Sequence, residues 1–155
     1  MGEFFGSMYC FLFEDFFGLD LADYLWGVSA EKVTTNQFIG IGLCMLGISF
    51  GIAVLFYYIV NHPRLCNWWG WGLFLIGNAA INCFIGWQWV EKDKSAGLMK
   101  FVNPETNQPV DLPIDTTNFI CFGVSNMLLS IVAFFIFSCI IKWWSTNCAS
   151  APFVK

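Results

Sequence analysis

Long stretches of this sequence lack charge altogether. No Asp, Glu, Lys or Arg lies between Lys32 and Arg64, between Arg64 and Glu91, or between Asp115 and Lys142. Only 12% of the 155 residues are charged and 57% are hydrophobic. Soluble domains carry roughly a quarter charged residues. A chain with so little polar surface cannot coat a globule in water, so lipid must solvate part of it. Each charge-free gap exceeds the ~20 apolar residues that cross a bilayer core as a helix. The expected fold is therefore all-α and membrane-integral, with three transmembrane helices over about residues 36–60, 67–90 and 117–143.

Other absences exclude chemistry. The single histidine, His62, sits beside Pro63 in an expected turn. No His/Glu or Cys/His spacing suits a metal, and none of the seven cysteines forms a C-x-x-C pair. There is no G-x-S-x-G elbow, phosphate-binding loop or dinucleotide fingerprint. No enzyme activity and no cofactor are expected. No charge lies inside a span, which argues against a proton relay or a charge-coupled carrier. No inverted repeat of discontinuous helices is visible. Seven basic against eleven acidic residues argue against a nucleic-acid partner. Glu3 stands where a signal peptide would carry basic residues, so no cleavable leader is expected.

What is present is aromatic and finely punctuated. Eighteen Phe and eight Trp are a heavy aromatic load, and the mean hydropathy of the chain is +0.64. Trp68, Trp69, Trp71, Trp143 and Trp144 gather on one expected side of the membrane, as interfacial belts do. Trp26, Trp87 and Trp89 gather on the other. Thr34 and Thr35 suit a cap for the first span, Asn67 for the second, and Pro113, Asp115 and Thr116 a start for the third. Cys66 and Cys148 share one side, where they could pair in an oxidising compartment.

Residues 1–35 form an acidic segment ahead of the spans. Within 3–27, Glu3, Ser7, Cys10 and Glu14 make one narrow polar stripe on a helical wheel. Gly18 predicts a break between two short helices. The segment is amphipathic and suits the membrane interface. It lacks the Lys and Arg that favour anionic headgroups, so packing on protein is expected, either the bundle itself or another chain. Residues 91–116 form the one long loop. Its LMKFVNPETNQPVDLPI stretch reads as two short strands around a turn. Residues 144–155 form a polar tail.

Lys and Arg count four on the N-terminal and long-loop side against three on the other. Their density per residue favours a cytoplasmic C-terminus, in a bacterial inner membrane.

The spans themselves carry polar residues. With 1.5 Å rise per residue, Asn82 and Asn78 lie roughly 12 and 18 Å deep from the long-loop side. Asn126 and Ser130, on the antiparallel third span, lie roughly 14 and 20 Å deep, and Ser49 on the first roughly 18 Å. The depths pair Asn82 with Asn126 and Asn78 with Ser130. An amide facing hydrocarbon costs several kcal/mol, so these stripes should face protein or water. They serve either as glue between helices or as the lining of a polar path between copies. Gly47 and Gly51 form a GxxxG motif, extended upstream by Gly40 and Cys44, that lets backbones approach.

These features lead to an expected homo-oligomeric channel or pore, with Ser49, Asn78, Asn82, Asn126 and Ser130 near its path. The alternative is a structural or anchoring subunit of a larger membrane complex. In general layout alone, the three-span chain resembles holins and the membrane effectors of bacterial defence systems. That resemblance implies a pore-forming oligomer and carries no family motif.

Overall fold

The computed structural model describes residues 2–27, 36–60, 65–102 and 108–145. Helices α1 (Gly2–Phe17) and α2 (Leu19–Trp26) precede the long helix α3 (Gln37–Val54), which continues into a π-helical turn, Leu55–Ile59. Helix α4 spans Trp68–Ser95. Strands β1 (Lys100–Val102) and β2 (Pro109–Asp111) follow, then α5 (Thr116–Lys142). The three helical segments Gln37–Ile59, Trp68–Ser95 and Thr116–Lys142 are long and apolar enough to cross a membrane. The chain is therefore all-α in its main elements, with the three spans where the charge-free gaps lie.

Two compact units can be distinguished: Met1–Leu43 with Cys83–Ser125, and Cys44–Asn82 with Asn126–Lys155.

The first unit is held by aromatic rings. Gly18 breaks α1 from α2 at a φ of 96°, which a side chain would resist. The helix pair places Tyr9 against Phe38 and Phe122 at ring distances of 5.4 and 5.7 Å. Phe17 meets Phe122 edge-on at 5.4 Å. Phe5 lies on Gly42, where an added Cβ would come within 2.3 Å of the ring. Glycine at 42 thus seats the N-terminal helix on α3. Tyr9, Phe17, Phe38 and Phe122 are all buried. The acidic segment therefore packs on the protein. Its other face remains apolar and open, with Phe4, Phe11, Leu12 and Phe16 exposed.

Helix α4 runs five residues past the expected end at 90. Lys92 and Lys94 in its last turn complement the helix dipole. Gly97, at φ 68°, closes it. The Leu98 amide donates to the Asp93 carbonyl (3.1 Å) and the Gly97 amide to that of Lys94 (2.9 Å), the two bonds of a Schellman stop. The strands pair antiparallel with Lys100 opposite Asp111 and Val102 opposite Pro109, as the hairpin pattern predicts. The turn residues 103–107 lie outside the described residues. In the same unit, Gly123 lets α5 come close to α4: a Cβ there would lie 2.8 Å from the Cys83 carbonyl oxygen.

The second unit centres on Ala53, Phe56, Tyr57, Trp71, Phe134 and Ile141. The π turn ends with Val60 N–H donating to the Leu55 carbonyl at 3.0 Å. The Tyr57 carbonyl, in this last turn, accepts from the Ser145 hydroxyl at 2.8 Å. Terminal helix carbonyls need such partners when buried.

Helix starts differ in part from expectation. Asn36 caps α3: its side-chain oxygen accepts from Phe38 N–H at 3.0 Å. Thr34 and Thr35 lie outside the described residues. Asn67 directly precedes α4, and the Asp115 carbonyl accepts from Asn118 N–H at 3.0 Å at the start of α5. Cys10, Cys44, Cys83, Cys121 and Cys139 are free thiols, whereas Cys66 is disulfide-bonded. Its expected partner, Cys148, lies outside the described residues, as do His62 and Pro63.

Candidate functional site

The five polar residues expected in the membrane layer are all in the second unit and all fully buried. Helices α4 and α5 exchange amides. Asn78 Nδ2 donates to the Ser130 carbonyl at 3.0 Å, and Asn126 Nδ2 donates to the Asn82 carbonyl at 2.7 Å. The contacts join the same two pairs that the depth arithmetic matched. The partners are backbone carbonyls, which a side-chain pattern does not reveal. Asn82 Nδ2 turns along its own helix to the Asn78 carbonyl and Asn78 Oδ1, at 3.0 and 3.1 Å. Ser130 Oγ donates to the Met127 carbonyl at 2.7 Å.

Two polar atoms of this layer have no partner among the described residues. They are Ser49 Oγ and Asn82 Oδ1. Exchanging the oxygen and nitrogen of Asn82 would not help, because its nitrogen faces two oxygens of Asn78.

The small-residue face of α3 is open. Gly47 and Gly51 are exposed, and a Cβ added at either would meet nothing within 4 Å. Cys44 is half-buried. Gly40 is exposed but faces Trp89, whose ring lies 3.4 Å from where its Cβ would stand. Of the five tryptophans expected in an interfacial belt, Trp68, Trp69, Trp143 and Trp144 are largely exposed. Trp71 is not: it is 6% exposed, and its Nε1 donates to Ser138 Oγ at 3.2 Å. Its place in the aromatic core with Phe134, at a ring distance of 5.8 Å, overrides the belt reading.

The first unit holds a second polar constellation that sequence reading missed. Asp93 Oδ2 accepts from Tyr24 OH at 3.0 Å and from Gln37 Nε2 at 2.8 Å. Trp89 Nε1 donates to Gln37 Oε1 at 3.0 Å. Burial, with the Asp93 carboxylate beside it, pushes the Tyr24 hydroxyl up to about 12. Burial also raises the Cys10 thiol, against the Trp26 indole N–H that donates to its sulfur at 3.1 Å. Tyr24, Gln37 and Asp93 come from three different helices, so no local spacing marks them. The only sequence signal was a tyrosine and a carboxylate flanking otherwise apolar segments.

Among the described residues no group of three or more His, Cys, Asp or Glu could hold a metal. No family model matches the chain, and no curated protein or solved structure matches it.

Proposed function

We propose that this chain is a non-enzymatic membrane protein that works by self-association, its copies meeting at the glycine face of α3. One observation carries the reading: Gly47 and Gly51, one helical turn apart, are exposed with open space at both Cβ positions. A lipid-facing helix position has no need of glycine, which costs about 1 kcal/mol in a helix interior relative to Ala. Two of them on one exposed face make a groove that a second backbone can enter. By contrast, the asparagine amides donate inside one chain. They favour a bracing or anchoring role for α4 and α5 over a lining between copies.

A channel is the second reading, and Ser49 Oγ and Asn82 Oδ1 favour it. Buried polar atoms without partners are the places where water enters a helical bundle. Uncharged Ser and Asn would give a weakly selective path.

The test is the mass of the purified complex in mild detergent. The proposal expects a discrete homo-oligomer that dissociates in Gly47→Ile and Gly51→Ile. A monomeric wild-type chain, or variants with unchanged mass, contradicts it. Bilayer conductance by the oligomer, altered in Asn82→Leu, would select the channel reading.

A further inference from the structure

A cleft of about 870 Å³ opens in the first unit between the start of α3 and the end of α4. On α4 it is lined by Phe84, Ile85, Gln88, Trp89, Lys92 and Asp93. These positions recur at one helical face, i, i+1, i+4, i+5, i+8 and i+9. Along that face polarity rises steadily, from a phenylalanine and an isoleucine, through an amide and an indole, to an ammonium and a carboxylate. The gradient covers roughly 13 Å at 1.5 Å per residue. Across the cleft, α3 supplies Asn36, Gln37 and Gly40.

Neither Lys92 nor Asp93, the two charged groups at the polar end, makes an ion pair among the described residues. Asp93 takes hydrogen bonds from two neutral donors, Tyr24 and Gln37, and these leave its negative charge in place. The Lys92 ammonium makes no hydrogen bond or ion pair among the described residues. Its neighbour Lys94 does: its ammonium donates to the Ile114 carbonyl and lies 5.1 Å over the Phe119 ring. An anchored carboxylate and an unengaged ammonium therefore lie on one wall, beside an indole and above an apolar floor.

We propose that this cleft binds an aminophospholipid, with the zwitterionic headgroup of phosphatidylethanolamine at its polar end. Lys92 meets the phosphate, and Asp93 meets the primary ammonium with Trp89 alongside, as carboxylates and aromatic rings do for ammonium groups. Phe84 and Ile85 take the start of an acyl chain. The position suits a lipid: the cleft sits at the end of a span, where headgroups lie and where Trp and Lys anchor. A soluble zwitterion such as phosphoethanolamine shares the headgroup chemistry but leaves the apolar floor unfilled.

The full chain is purified in mild detergent after incorporation into bilayers of equal phosphatidylethanolamine and phosphatidylglycerol, and retained lipid is read by native mass spectrometry. The wild type is expected to retain phosphatidylethanolamine in preference. Asp93→Asn keeps an acceptor for Tyr24 and Gln37, so the fold stands, and the preference falls about tenfold, the equivalent of ~1.4 kcal/mol. Lys92→Gln alters an exposed side chain and loses both lipids. Equal retention of the two lipids by the wild type overturns the proposal, as does a preference unchanged in both variants. Displacement by soluble phosphoethanolamine at matched concentration overturns the lipid assignment in favour of a water-soluble ligand.

Discussion

The two units solve the problem of polar groups in an apolar chain in opposite ways. The second unit carries no charge in its layer and turns its amides onto backbone carbonyls, Asn78 to Ser130 and Asn126 to Asn82. The first unit keeps a carboxylate, Asp93, and holds it with side chains from two other helices. The difference follows from position along the helices. Mid-span, a charge costs several kcal/mol and an amide is the strongest polar group that can be afforded. At the end of α4, water and headgroups are near enough for a carboxylate and two lysines. One unit therefore uses polarity for cohesion, and the other keeps charge at a helix end, where the proposed lipid site would use it.

The sharpest way to break the contrast is through the packing of the first unit. Phe122 meets Tyr9, Phe17 and Phe38, so Phe122→Ala is expected to cost about 3–5 kcal/mol, the usual range for emptying an aromatic core site. Thermal or denaturant unfolding in detergent checks it, and protease release of the N-terminal helices should accompany the loss.

A smaller effect is expected in the second unit. Asn126→Leu removes the Asn126–Asn82 hydrogen bond across α4 and α5, and such a bond is worth roughly 0.6–2 kcal/mol in a membrane setting. The same unfolding assay reads it. A loss several times larger would mean that the amide supports more than the seam.

The smallest effect is a pH dependence that Tyr24 brings to the first unit. The Tyr24 hydroxyl lies at about 12, above its ordinary value of 10.0. Its unfolded form therefore loses a proton that the folded form keeps. The stabilising contribution is complete below pH 10 and declines as pH rises toward 12. Ultraviolet titration should show Tyr24 ionising late, and Tyr24→Phe should reduce the late-ionising absorbance by one tyrosine.

Much of this architecture was legible in the residues. The charge-free gaps located three spans, Gly18 marked the break between α1 and α2, and the strand pattern located the hairpin. The i, i+4 asparagines fixed which depths would meet, because helical rise is constant. The missing parts depend on distance in sequence. Tyr24 and Asp93 are 69 residues apart, and no periodicity links them. Trp71 looked interfacial beside Trp68 and Trp69, yet its helical phase turns it toward Phe134 and Ser138. The end of α4 was readable in principle, since Gly97 follows two lysines, but the charged run from Glu91 to Lys94 resembled a loop.

Helix α3 presents Gly47 and Gly51 outward, while the Asn78–Ser130 and Asn126–Asn82 hydrogen bonds stay within the chain. Cysteine cross-linking in native membranes tests this arrangement most directly, in a chain whose five free cysteines are replaced by alanine. Gly47→Cys and Gly51→Cys should form covalent dimers on mild oxidation, and Asn78→Cys should not. Dimers through position 78, with none through 47 or 51, would contradict the account and put the asparagine layer between copies.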